Sequence, residues 1–259
     1  MQDTTNGQTR RIHRPYVGSD TPPQRPPAVR AAATVMCWGG GVRLESLTMV
    51  RHGESVGNAA ARVAQAAGDE EFGSGTRDAD FALSEVGRAQ AAAVGARLRA
   101  WPRPETVLSS PYLRARQTAE IALAGADWPQ PRLDERLRDH EKGALQGLTV
   151  HGVRRRHPEK FRERERLGRF YYRPPGGESW PDVALRLRTL LPELSGHVLV
   201  FTHDLVIVMT RYLLEGLDEP RILEIESNQL ANASITRWQR TATHLHLTTY
   251  NDTDHLTAP

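Results

Sequence analysis

The 259-residue sequence contains one cysteine, Cys37, and only two lysines, Lys142 and Lys160. A lone thiol cannot close an internal disulfide, so nothing here calls for an oxidising compartment. No run of about 18 apolar residues occurs, which excludes a membrane-spanning helix on sequence grounds. The most apolar stretch, residues 197–217, is broken by His203, Asp204 and Arg211. Polar, proline-rich sequence follows Arg10 and Arg11, so the pair does not open a twin-arginine signal. The expected location is cytoplasmic.

An acidic excess is also missing. Lys and Arg total 34 against 31 Asp and Glu, for a net +3 and a pI near 9.3. A basic pI invites a nucleic-acid reading, but the position of the charge removes it. Residues 1–46 hold six Arg and three acids, whereas residues 47–259 hold 28 of each sign. The body is neutral and no aromatic interleaving accompanies the basic segment. Neither a nucleic-acid nor a membrane partner is expected.

Residues 1–46 carry Pro15, Pro22, Pro23, Pro26 and Pro27 with few large apolar residues, the composition of a disordered leader. The folded body is expected over 47–250, with a flexible tail over 251–259. Within it, short apolar runs at 47–50, 106–109 and 198–201 read as buried strands. Helical patterns follow at 57–67, 85–100, 112–123, 150–173, 179–194 and 205–214. Ser84 suits the N-cap of the second, where Val86, Ala89, Ala93 and Ala96 recur at helical spacing. Two further strands are expected at 233–238 and 243–249. Strands alternating with helices imply an α/β fold, a three-layer α/β/α sandwich around a mostly parallel central sheet.

Each main strand ends in chemistry. Arg51 and His52 follow the first, Arg114 follows the second, and His203 follows the third. Ligands of open α/β sheets bind beyond the carboxyl ends of the strands. Two arginines and two histidines at one rim, with helix N-termini nearby, make an anion site suited to a phosphoryl group.

Leu47-Thr-Met-Val-Arg51-His52-Gly53-Glu54-Ser55, with Asn58 three further on, resembles the signature of branch 1 of the histidine phosphatase superfamily, the phosphoglycerate-mutase-like proteins. The segments Ser109–Ala119, Leu137–Gly147, Gly176–Ser179 and Phe201–His203 resemble its later motifs, in order. Five ordered motifs are far more specific than one Arg-His-Gly. The resemblance implies a nucleophile at His52, held in tautomer by a backbone carbonyl. It also implies phosphate binding by Arg51, Arg114, His203 and Asn58, and a general acid at Asp139. The family position usually holds Glu, and Glu141 and Glu135 lie near enough in sequence to compete. Glu178 is either part of the site or a loop and cap residue. No metal or other cofactor is implied, and the spacing of His140, His151 and His157 does not suggest a metal site.

The implied activity is hydrolysis of small phosphomonoesters. The rivals are phosphoglycerate-mutase-type transfer, against which Lys142 replaces an aromatic residue common in mutases, and a non-catalytic phospholigand-binding module. Residues 150–173 carry nine basic and three acidic residues. They are expected to form a basic cap, with Arg154–Arg156, Tyr171 and Tyr172 favouring anionic substrates. Oligomeric state is not legible.

Overall fold

The computed structural model describes residues 43–73 and 75–256. The leader expected over 1–46 therefore lies outside the described residues up to position 42. The fold includes residues before the expected boundary at 47, because strand β1 (Leu44–Arg51) already pairs and buries its first residue. It also extends past 250. Strand β6 (Leu245–Asp252) precedes a short 3₁₀ turn, Asp254–Leu256. His255 Nε2 donates to the carbonyl of Ala233 at 3.0 Å, so residues 251–256 are pinned.

The remaining strands are β2 (Thr106–Ser109), β3 (Arg132–Leu133), β4 (Gly196–Thr202) and β5 (Ile235–Arg240). They form one six-stranded sheet in the order β3-β2-β4-β1-β5-β6. The first four are mutually parallel, and β5 and β6 are antiparallel. The helices are α1 (Val56–Ala67), α2 (Glu85–Leu98), α3 (Leu113–Leu123), α4 (Val150–Arg156), α5 (Pro158–Tyr171), α6 (Trp180–Leu190), α7 (Asp204–Glu215) and α8 (Glu219–Ser227).

The three layers follow from the period-two alternation of strand side chains. Leu47, Met49, Leu108, Val198 and Val200 pack with Val183 and Leu187 of α6 and with Val206 and Ile207 of α7. Their neighbours Val50, Val107, Leu199 and Phe201 pack with α2 and α3 through Val94, Leu98, Ala119 and Ala122. Strands buried on both faces have little polar alternation, which is why they read as continuous apolar runs.

The buried face of α2 is not the stripe the sequence suggested. Val86 is exposed, and the buried residues are Gly87, Ala91, Val94, Gly95 and Leu98. The phase is set by backbone approach. A Cβ on Gly87 would stand 2.0 Å from the carbonyl oxygen of Glu54, inside the loop that carries His52. Gly87→Ala is expected to cost about 1–3 kcal/mol of stability by overpacking and to reduce turnover by displacing that loop. Denaturant unfolding and a phosphate-release assay check both, and an unchanged midpoint would refute the contact.

Candidate active site

The parallel register sets the site. Arg51 lies opposite Thr202, and Ser109 opposite Phe201. The next residues, His52, His203 and Ser110, therefore emerge together at the carboxyl rim. His52 is fixed by its backbone: its N–H donates to Thr202 at 2.9 Å and its carbonyl accepts from Ala233 at 3.0 Å. Asn232 Nδ2 donates to the same carbonyl at 3.2 Å.

The ring of His52 is buried, with Nδ1 2.7 Å from the carbonyl oxygen of Gly53. A carbonyl only accepts, so Nδ1 carries the proton and Nε2 presents its lone pair. Nε2 accepts from Arg114 Nε at 3.2 Å. Burial, then the charges of Arg114 and Arg51, hold the imidazole pKa well below its ordinary value. The free site therefore contains a neutral, oriented imidazole.

Arg114 sits in the first turn of α3 and is 3% exposed. Its Nη2 contacts Asp139 Oδ2 at 2.7 Å and Asp78 Oδ2 at 3.0 Å, and it lies over the ring of Tyr112. Thr118 Oγ donates to the Arg114 carbonyl at 2.7 Å and accepts from the N–H of Gly53 at 3.0 Å, tying the two motifs together. Arg51 pairs with Asp204 at 3.3 Å and donates to the carbonyl of Leu230. Its Nε is buried without a partner.

His203 is fully buried, with its ring centroid 5.1 Å from that of His52. Its Nε2 lies 2.8 Å from Ser110 Oγ, and its Nδ1 is 3.4 Å from Asp139 Oδ2 without a hydrogen bond. Burial depresses its pKa further than the Asp139 charge can restore it. Asn58 lines the same cavity. Its amide oxygen accepts from Ser55 in a capping box and from Asn232, which leaves its NH₂ for a ligand.

Asp139 is the carboxyl that the fold brings to His52, Arg114 and His203. Burial pushes its pKa up, but the interactions with His203 and Arg114 outweigh that and hold it well below the usual range. The free site thus holds a carboxylate here. Glu141 spends its side chain on the N–H of Gly143 at 3.0 Å, and Glu135 is exposed; neither lines the cavity. Glu178 does not line it either. It contacts Arg138 at 2.6 Å and Arg186 at 3.1 Å and accepts from the N–H of Glu141 at 3.2 Å. Arg186 also donates to the Asp139 carbonyl at 3.2 Å, so Glu178 braces the acid-bearing loop from behind.

The basic segment is also redistributed. Arg155 and Arg156 pair with Glu70 at 3.0 and 2.7 Å, and Arg154 lies over the ring of Phe161. Tyr171 is exposed. The residues of the segment that face the cavity are Val150, Val153, Arg164, Arg169 and Tyr172. Gly168, at φ +78°, breaks α5 between Arg164 and Arg169. A left-handed conformation of this kind suits glycine.

Sequence reasoning missed Asp78, Asp204, Asn232 and all of α8, which contributes Glu226 to the cavity wall. Asp78 belongs to an Asp-rich loop without a motif. Burial raises its carboxyl pKa despite Arg114, and the Asp139 charge adds to the rise. The whole cavity measures about 460 Å³. Among the described residues, no group of three or more His, Cys, Asp and Glu side chains is arranged to hold a metal ion, and no helix is long and apolar enough to cross a membrane.

The profile of the histidine phosphatase superfamily (branch 1) matches residues 47–253. The chain is 31% identical to the 2,3-bisphosphoglycerate-dependent phosphoglycerate mutase 2 of Gloeobacter violaceus over 70% of its own length and 80% of the relative's. It is 32% identical to the glucosyl-3-phosphoglycerate phosphatase of Mycolicibacterium vanbaalenii, over 73% and 72% of the two chains. It is 31% identical to the metal-independent phosphoserine phosphatase of Arabidopsis thaliana, over 64% and 68%. Among solved structures, a mycobacterial glucosyl-3-phosphoglycerate phosphatase complexed with VO3 superimposes with a TM-score of 0.65 at 28% identity, covering 81% of this chain and all of that one. The α/β/α sandwich, the match across nearly the whole ordered body and the agreement with both phosphatases and mutases together establish that this chain belongs to branch 1 of the histidine phosphatase superfamily.

Proposed function

We propose that the chain hydrolyses small phosphomonoesters through a phosphohistidine formed on His52. The observation that carries this reading is the state of His52: Nδ1–H is committed to the Gly53 carbonyl at 2.7 Å while Nε2 stands beside Arg114. In the first step the Nε2 lone pair attacks phosphorus and the bond to the leaving oxygen breaks. The carboxyl of Asp139 gives that oxygen a proton. In the second step water attacks phosphorus, Asp139 takes a proton from the water, and the P–N bond breaks to release inorganic phosphate and neutral His52. Arg51, Arg114, His203 and Asn58 hold the phosphoryl oxygens, since such transfers depend chiefly on positioning and charge.

Asp139 is ionised in the free site, so it takes up a proton from solvent as the substrate binds. A dianionic phosphate engages Arg114, and that guanidinium then divides its charge. The same dianion places negative charge beside Asp139. Both changes raise the carboxyl pKa, the direction an acid requires. The metal-free step is part of the proposal, with the arginines supplying the positive charge.

Mutase-type transfer is the second reading, favoured by the identity to the Gloeobacter mutase and by the run Gly143-Ala-Leu-Gln-Gly147. Incubation with 3-phosphoglycerate separates the two. Phosphate release without the 2-phospho isomer is the expected result. Isomer formation outrunning release, in the presence of 2,3-bisphosphoglycerate, would reverse the assignment.

A further inference from the structure

The phosphoryl chemistry uses only part of the cavity. Another wall is built by α5 and α8, where Arg169 pairs with one carboxylate oxygen of Glu226. The second oxygen, Oε2, is buried without a partner, and so is the hydroxyl of Tyr172. Tyr172 is 5% exposed and packs beside Leu145 and Val153. Both residues line the cavity. Buried polar atoms left unmade are costly, and two among the residues that line one cavity call for a ligand.

We infer that this wall is a subsite for the leaving group, and that the leaving group is a sugar-like polyol. The chemistry of the wall selects it. Glu226 Oε2 can only accept in its ionised form, whereas the Tyr172 hydroxyl can donate. A hydroxyl-bearing ligand answers both, because each hydroxyl donates and accepts. An ammonium would meet Glu226 but also the cations of Arg164 and Arg169, which face the same cavity. The charges acting on the Tyr172 hydroxyl are those of Glu163, Lys160 and Arg164, and those acting on Glu226 are Arg169, Asp204 and Arg164. A second anionic group would be drawn to the arginines and repelled by Glu226. Neutral hydroxyls avoid both conflicts. Phe72, Phe81 and Trp180 give the apolar carbon face of a ring a surface to lie on. A cavity of about 460 Å³ exceeds what a phosphoryl group alone would fill.

The subsite rests on the phosphatase reading, and the test separates the two. Glucose 6-phosphate and phenyl phosphate serve as probes, the second having no hydroxyl on its leaving group. Tyr172→Phe keeps the ring in its packing, and Glu226→Gln keeps one oxygen for Arg169. Each is expected to lower the ratio of kcat/KM for glucose 6-phosphate over phenyl phosphate about tenfold, through KM rather than kcat. Equal changes on both esters, or none, overturn the subsite. Calorimetric binding of glucose 6-phosphate to His52→Ala, with and without Tyr172→Phe, is independent of turnover. About tenfold weaker binding in the double variant upholds the subsite even if the wild type releases no phosphate, an outcome that removes only the phosphatase reading. Absent binding, or binding that Tyr172→Phe leaves intact, removes the subsite.

Discussion

His52→Ala is expected to reduce kcat for phosphate release by roughly 10⁴-fold or more, since it deletes the nitrogen on which the proposed covalent intermediate forms. The protein should still fold. The backbone bonds of position 52, from its N–H to Thr202 and from Ala233 to its carbonyl, do not involve the ring. The loss should appear with good and poor leaving groups alike, because both kinds of ester need the same nitrogen to attack phosphorus. Wild type given ³²P-labelled ester and quenched in alkali, where a phosphohistidine is stable, should retain label on the protein, and the variant should not. Turnover of a folded variant within tenfold of wild type would end the mechanism.

The same residue sets the acid side of the pH profile. The attacking form is neutral, so activity falls as pH drops through the pKa of His52 in the folded site. Burial, Arg114 and Arg51 depress that pKa below 6.5. The acid limb of kcat/KM should therefore lie below pH 6.5. A limb at or above that value contradicts the electrostatics described for the free site.

Asp139→Asn is expected to cost roughly 10²–10⁴-fold on alkyl phosphates and much less on p-nitrophenyl phosphate, whose leaving oxygen needs no proton. Asparagine keeps the size of the side chain and can still accept from Arg114, so the clamp is preserved while the titrating group is lost. Asp78→Asn is the informative companion. Asp78 shares Arg114 with Asp139, and burial raises its pKa. If Asp78→Asn shows the stronger dependence on leaving group, the acid role passes to Asp78. If both variants lose activity evenly on all esters, the carboxyls act by holding Arg114 rather than by moving protons.

The strands and the rim were legible because their signals are local. A buried strand is a short apolar run, and Arg51, His52, Arg114 and His203 each stand just beyond one. The phase of α2 was not legible. It depends on Gly87 meeting the backbone of Glu54 across the fold, and glycine carries no hydrophobic mark. Asp139 could be picked out by motif, but the sequence did not show that the turn at Gly143 occupies Glu141. Glu178 shows the converse: it stands within a motif, but its side chain faces Arg138 and Arg186 behind the loop. Net charge misplaced the cap. The count over 150–173 weighted Arg154–Arg156, although Glu70, Glu71 and Phe161 occupy them from a distant loop and a following helix.

The break at Gly168 has an evolutionary consequence. It divides the cover into a rod bearing Arg164 and a short final turn bearing Arg169, with Tyr172 as the cap that follows. Neither piece belongs to the sheet, and α5 packs on α6 and α8 rather than on the strands that present the nucleophile. Selection can therefore retune substrate choice by changing either piece while the phosphoryl machinery stays fixed. A directed-evolution library confined to 160–173 and 222–229 would explore new substrates with little risk to the chemistry beneath.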